Sequence, residues 1–467
     1  MTRPAAIRAW TVAQRGAQWG SAGFITALFA PWVALAGPTQ RILLAIALLD
    51  VPLQIDENFA YLDDPASLGA LGGFDVSLTT LALLGLYVGW FIERVSARNV
   101  GEPLAPFRLV RPLALYLFFA VVSAVVARDA DLYARGLFLM VQLFLLFFYL
   151  VNRIRTREDV RFVVMMMLWG LLVESVVIVI IGTAAESVDV AGFKVFVDTS
   201  TQELGGPRFY GTLGSPINAA AYLELILAPA LAVLATSLER RQKLLAGLGV
   251  VLGLIALVGT LSRAAWVATV VSMTITCLAF RRTAGRNAGR GLAAPLLFLA
   301  FLGVVLLVFQ STIATRLTGD DYGSARGRLP LAATALEIIG DSPLLGIGVN
   351  NYVAALPRYE ATFTGEWLYT VHNKYLLVWA EAGLGGFVAF VWFLVSTVRR
   401  GREVWKRRDP MLSPLALGFT AAFVGQMGHM AVDIYSSRSE VSFLWIVAAL
   451  IAVMHRISTP PVRLAPR

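Results

Sequence analysis

Cysteine and charge are both scarce in this chain. Its 467 residues include one cysteine, Cys277, so neither an intramolecular disulfide nor a thiolate metal cluster can form. Charged residues make up 15% of the total, against roughly 25% in an ordinary soluble domain. Histidine occurs three times, which leaves few candidates for proton transfer near neutral pH. The first 23 residues are basic but lack a short apolar run ending in a small-residue cleavage site, so they read as a retained cytoplasmic tail rather than a signal peptide.

What is abundant is apolar sequence. Hydrophobic residues account for 58% of the chain and the mean hydropathy is +0.71, the composition of an integral membrane protein. A crossing needs about 20 mostly apolar residues. Clear candidates lie near 75–92, 111–127, 136–152, 161–182, 216–237, 244–260, 264–281, 291–310, 375–398, 411–433 and 440–455. Residues 22–55 hold two shorter runs split by Gly37-Pro38, which read as one broken or tilted crossing. The expected fold is therefore an all-α polytopic membrane protein of about 12 transmembrane helices.

The formal charge of +9 is unevenly spread. Segments 1–21, 93–111, 153–161, 238–243, 281–290, 399–408 and 456–467 hold 27 of the 39 Lys and Arg residues. Positive-inside bias makes these loops cytoplasmic, so the net charge reports topology. No basic stretch is interleaved with aromatics, and a nucleic-acid partner is not expected. The parts expected are a tail over 1–21, N-terminal helices over 22–182, a second membrane region over 183–455 and a tail over 456–467.

With those loops inside, segments 183–215 and 311–374 fall outside. The second is too long for a plain connector. Leu329, Ala332, Leu336 and Ile339 recur there at helical spacing and predict an amphipathic helix on the outer membrane face. The acidic stretch 51–75 is also external, either a recognition surface or a solvated connector.

Few cations lie on that side. Arg208 stands in GGPRFYGTLGSPIN, Arg263 in the short turn GTLSRAAW, Arg326 and Arg328 at the start of the amphipathic helix, and Lys374 beside His372. An arginine next to hydrocarbon is costly unless paired or in a wet cavity. Each alone could be an interfacial anchor. Together, Arg208, Arg263 and Arg328 suit a diphosphate, whose oxygens match guanidinium forks. His372 is the one histidine of the external loops and could act as a base on a hydroxyl. Asn373 and Glu381 are candidates for orienting the ring or an acceptor, although EAGLGG also reads as a kink with a paired carboxylate. His429 and Asp433, at i and i+4, read as a hydrogen-bonded structural pair. The acids Asp320, Asp321, Asp341, Glu360 and Glu366 have no ligand-like spacing, so no metal and no other cofactor is expected.

SPIN (215–218), LSRAAW (261–266), GRLPLAATALEIIGDSPLLGIGVNNY (327–352) and HNKYLLVWAEAGLGG (372–386) occur in an order and spacing that resembles the O-antigen ligase family, which includes polysaccharide polymerases. The resemblance covers roughly 205–455. It implies a GT-C-like glycosyltransferase of the bacterial inner membrane, active at the periplasmic face. The implied donor is a glycan on undecaprenyl diphosphate, and the acceptor another glycan or a lipid A-core. It makes His372 the essential histidine and aligns Arg208, Arg263 and Arg328 with family arginines. The chain departs from the family at Leu331 and Ala332, where an aromatic is common. Metal-independent transfer with inversion is the expected chemistry. The alternative is a lipid-linked glycan flippase or transporter, which would favour two related halves. No such repeat is seen, and oligomeric state is not encoded in any motif.

Overall fold

A computed structural model describes residues 37–96, 104–184, 188–190, 193–195, 197–198, 208–283, 309–318, 327–359 and 368–459, with single residues among 20–32 and 303–307. The protein is an all-α polytopic membrane protein. Among the described residues, nine helices are long and apolar enough to cross a bilayer. The expected crossing at 291–310 lies almost entirely outside the described residues, as does Arg326.

The principal helices are α1 (Gly37–Leu53), α2 (Leu78–Val95), α3 (Phe107–Val122), α4 (Ala130–Arg153), α5 (Arg157–Ala184), α6 (Pro216–Val233), α7 (Arg240–Gly259), α8 (Arg263–Thr283), α9 (Arg328–Asp341), α10 (Lys374–Lys406), α11 (Leu412–His429) and α12 (Arg438–Ser458). Helix α6 is apolar all round, and nearly every residue in it is buried, which makes it the centre of the bundle. Ser215 caps it by accepting from Asn218 N, with Pro216 at the first helical position. Tyr222 on α6 meets Phe443 on α12 edge to face at 4.7 Å.

The acidic segment after α1 is neither a recognition surface nor a plain connector. Strands β1 (Asp56–Phe59) and β2 (Phe74–Ser77) form an antiparallel hairpin, with Asp56 opposite Ser77. Asp50, Asp56 and Asp75 converge on Arg438, the first residue of α12, at 3.2, 2.7 and 3.3 Å. Arg438 is buried, and a guanidinium can serve several carboxylates because its donors fan out in one plane. Burial raises the carboxyls of Asp56 and Asp75, the latter to about 7, against the pull of Arg438.

Helix α10 is broken at Gly383, whose φ of 67° and ψ of −176° interrupt the helical ladder. The freed carbonyls are used. Ala380 O accepts from Ile347 N at 2.9 Å, Glu381 O from Gly348 N at 3.0 Å, and Leu384 N donates to Pro343 O at 2.9 Å. The turn-rich GIGVNNY and the helical EAGLGG are thus two halves of one joint. An alanine Cβ at Gly383 would collide with the Leu344 carbonyl, so glycine is required by space as well as by φ.

Helix α9 forms where expected, but its apolar residues divide between two faces. Ala335, Ile338 and Ile339 pack inward with Val353, Leu356 and Leu377. Leu329 and Leu336 are exposed. The single stripe inferred from spacing is therefore corrected: Ile339 belongs to the inner face, and the exposed leucines to the outer one.

Candidate functional site

The segment carrying His372 is bolted down on both sides. Before it, Thr370 donates its N–H and hydroxyl to Leu68 O, so the loop after β1 holds its approach. After it, Asn373 caps α10 by accepting from Tyr375 N and Leu376 N at 3.0 and 3.1 Å. Lys374 N donates to Met430 O at 2.8 Å, and the Tyr375 hydroxyl to Met427 O at 2.6 Å. Both acceptors lie at or just past the end of α11.

His372 itself is half-buried, its ring 5.4 Å from that of Tyr369 and tilted by 30°. Burial pushes the imidazole below the usual range. Asp433 raises it, Arg328 lowers it, and a bond with the Thr370 backbone raises it. The structure thus brings Arg328, from the start of α9, within electrostatic reach of His372, together with Asp433, which the sequence placed in another role. The imidazole is neutral at pH 7, the state a base needs.

Arg208 and Arg263 meet at a second joint. Strand β6 (Arg208–Phe209) pairs with β5 (Val197–Asp198), the last of two short hairpins that begin with β3 (Val188–Val190) and β4 (Phe193–Val195). Arg208 Nε donates to Thr260 O at 2.9 Å. Phe209 lies where a side chain on Gly182 or Gly259 would stand, so α5 and α7 close on its ring through glycines. Leu261, with φ of 54°, turns the chain, and Ser262 leads into α8 with Arg263 at its first position. The start of α8 therefore presents a guanidinium and the free N–H groups of a helix N-terminus together.

The remaining sequence candidates have other employment. The Asn373 side-chain oxygen is the α10 cap rather than an orienting group for the ring. Lys374 is turned inward toward Glu381 and Glu440 and lines a cavity of about 70 Å³ with Glu381, Tyr352 and Tyr435. Glu381 accepts from Tyr352 N at 3.4 Å, so its carboxylate serves the α10 joint and not an acceptor. Of the five external acids considered, Asp341 accepts from the Tyr359 hydroxyl at 2.6 Å, and the other four lie outside the described residues.

The sequence reading of His429 is also corrected. Its Nε2 lies 3.7 Å from Asp433 Oδ2, too far for a hydrogen bond. Its bonded partner is Glu224 of α6, with Nδ1 2.7 Å from Oε2. The two residues are 205 positions apart, which no local spacing rule could pair. A signal was present nonetheless: a carboxylate inside the apolar run AAYLELILAP is expensive in a bilayer and marks a polar partner on another helix.

The O-antigen ligase family model matches residues 248–391. That span includes Arg263, Arg328 and His372 and agrees with the resemblance seen in the motifs. No curated protein matches. Among solved structures, a chain described under "Structural coordination of polymerization and crosslinking by a peptidoglycan synthase complex" is 16% identical, with a TM-score of 0.37, covering 76% of this chain and 98% of that one.

Proposed function

We propose that this chain, whose residues 248–391 are those of the O-antigen ligase family, is a membrane glycosyltransferase acting at the periplasmic face of a bacterial inner membrane. Its donor is a glycan on undecaprenyl diphosphate and its acceptor a sugar hydroxyl, on a second glycan or on a lipid A-core. The observation that carries this reading is the grouping of His372 with Arg328 and Asp433 at the end of α11, inside or beside the matched span.

The mechanism follows from the charges. Arg263, the N-terminus of α8, Arg208 and Arg328 hold the diphosphate and stabilise the negative charge that grows on it as the anomeric C–O bond breaks. His372 takes the acceptor hydroxyl proton while that oxygen forms the new bond from the opposite side, so the anomeric centre inverts. Asp433 supports the imidazolium that results. Arginines supply the electrostatic work that a divalent cation performs in many phosphate-leaving reactions, and transfer proceeds without a metal.

The test uses purified protein in nanodiscs with a lipid-diphosphate glycan donor. Release of undecaprenyl diphosphate coupled to a longer or transferred glycan supports the reading, and movement of intact donor across the bilayer without bond cleavage sinks it. Topology is checked on the same protein. A cysteine replacing Leu345 reacts with an impermeant thiol reagent from outside the cell, and one replacing Arg402 does not.

A further inference from the structure

Beneath the proposed base lies a buried polar relay that the motifs do not contain. His429 ends α11 and is 4% exposed; Glu224 is fully buried and Asp433 is 6% exposed. A nitrogen and a carboxylate oxygen 2.7 Å apart share a proton, so His429 Nδ1 and Glu224 Oε2 form a charge-assisted hydrogen bond. That bond fixes which ring nitrogen is engaged and turns Nε2 toward Asp433 Oδ2 at 3.7 Å. Asp433 Oδ1 accepts from Ile434 N, whereas Oδ2 is buried with no hydrogen bond among the described residues. Asp433 is thus one carboxylate facing two imidazoles, His429 from below and His372 from the outer end.

The same elements carry the backbone of the site. His372 is tied to the end of α11 through Lys374 N to Met430 O and Tyr375 to Met427 O. The Glu224–His429 bond ties that end to α6, the helix that follows Arg208 and the SPIN turn. Side-chain charge and main-chain geometry therefore run along one path, from α6 through the last turn of α11 to the base.

We infer that Glu224 is a positioning residue for His372: by engaging His429 Nδ1 it keeps His429 from capturing Asp433, and so leaves the Asp433 charge available to the base. The inference rests on the proposed role of His372. Its chemistry is nevertheless separable from transfer, because it concerns the proton affinity of one imidazole. The charged and titratable groups involved are Glu224 from α6, Glu440 from α12 and Asp433 around His429, and Asp433, Arg328 and Tyr369 around His372.

Two substitutions act in opposite directions. In Glu224→Gln, His429 loses its carboxylate on α6 and turns to Asp433, so the pull of Asp433 on His372 weakens and His372 holds its proton less tightly. In His429→Gln, Asp433 has only one imidazole left to face, and His372 holds its proton more tightly. The readout is carbethoxylation of His372 by diethylpyrocarbonate, which attacks the unprotonated ring, followed across pH 5 to 8 by peptide mass spectrometry on the full chain in nanodiscs. The midpoint moves down by about half a unit or more in the first variant and up in the second. Gln426→Leu, a buried neutral change on α11, leaves it in place.

A midpoint unmoved in both variants, or moved the same way in both, overturns the inference. Should one variant fail to fold, the sign in the other decides. Failure of the transfer reading looks different: the midpoints shift as stated, yet the wild-type protein cleaves no lipid-diphosphate donor.

Discussion

The Tyr375 hydroxyl donates to the carbonyl oxygen of Met427 at 2.6 Å, fastening the first turn after His372 to the last turn of α11. One hydrogen bond of this kind contributes about 1 kcal/mol. Because it holds the base rather than touching a ligand, its loss falls on the transition state. Tyr375→Phe is expected to lower kcat about fivefold with KM nearly unchanged, in steady-state assays on the purified protein. A change confined to KM would place Tyr375 in donor binding instead.

Arg263 opens α8 three residues after the Thr260 carbonyl that accepts from Arg208, so the two guanidinium-bearing segments share one turn. Arg263→Lys keeps the charge but loses the planar fork. Transfer should fall by about 100-fold, the scale seen when one preorganised donor to a developing charge is removed. Arg94→Lys, in the last turn of α2 with its guanidinium 5.7 Å from the Trp90 ring, should change activity by less than about twofold. Elution profile and thermal midpoint of both proteins establish that folding is intact. Equal losses would show that Arg263 only sets topology.

Arg438 is the sole cation paired with Asp50, Asp56 and Asp75 among the described residues. Arg438→Met leaves three carboxylates crowded behind the hairpin, and breaking a buried pair in this way costs about 3–5 kcal/mol. The pH dependence has a definite sign. Asp75 already has its carboxyl raised to about 7, above its unfolded value, so its protonated form is favoured by folding. Stability from that protonation is present at low pH and fades as pH rises through 7. Removing Arg438 raises these carboxyls further, so the deficit of the variant should shrink as pH falls from 8 to 5. Thermal unfolding at several pH values measures this, and a deficit that grows on acidification would contradict it.

The helices were legible because long apolar runs bounded by basic loops have few other interpretations in a chain this poor in charge. The base and arginine positions were legible for a related reason: each is a polar residue at the edge of such a run, where its cost is visible. What could not be read is how distant polar groups pair. Asp50 and Arg438 are 388 positions apart, and Glu224 and His429 are 205 apart. Each looked local in sequence, a solvated loop in one case and an i, i+4 pair in the other. The break at Gly383 was half legible. Two glycine-containing motifs were visible, but only the structure shows the loop amides taking up the carbonyls that the broken helix releases. Lys374 misled because a cation next to His372 reads as surface charge, whereas the start of α10 turns it inward toward Glu381.

The remaining prediction concerns the pH profile of transfer. Burial holds His372 below the ordinary imidazole range of about 6.5, with Arg328 acting the same way and Asp433 opposing both. As a base, the ring works only when unprotonated, so activity should rise through an acid limb centred below about 6.5 and level off above it. Asp433→Asn removes the group that supports the imidazolium. The limb should then move to lower pH, because the ring is harder to protonate. The plateau rate should fall for the same reason, since a weaker base takes the acceptor proton less readily. His372→Ala should abolish transfer at every pH while donor binding, which rests on the arginines, persists. Both results should hold in excess EDTA. Donor turnover measured between pH 5 and 8 checks all of these at once. A rate that tracks added Mg²⁺ or Mn²⁺ would contradict arginine-borne electrostatics, and an Asp433→Asn limb displaced upward would mean that Asp433 does not face the base. Near-normal turnover by His372→Ala would remove the base from His372 altogether, leaving the arginines to act on an acceptor activated by another group.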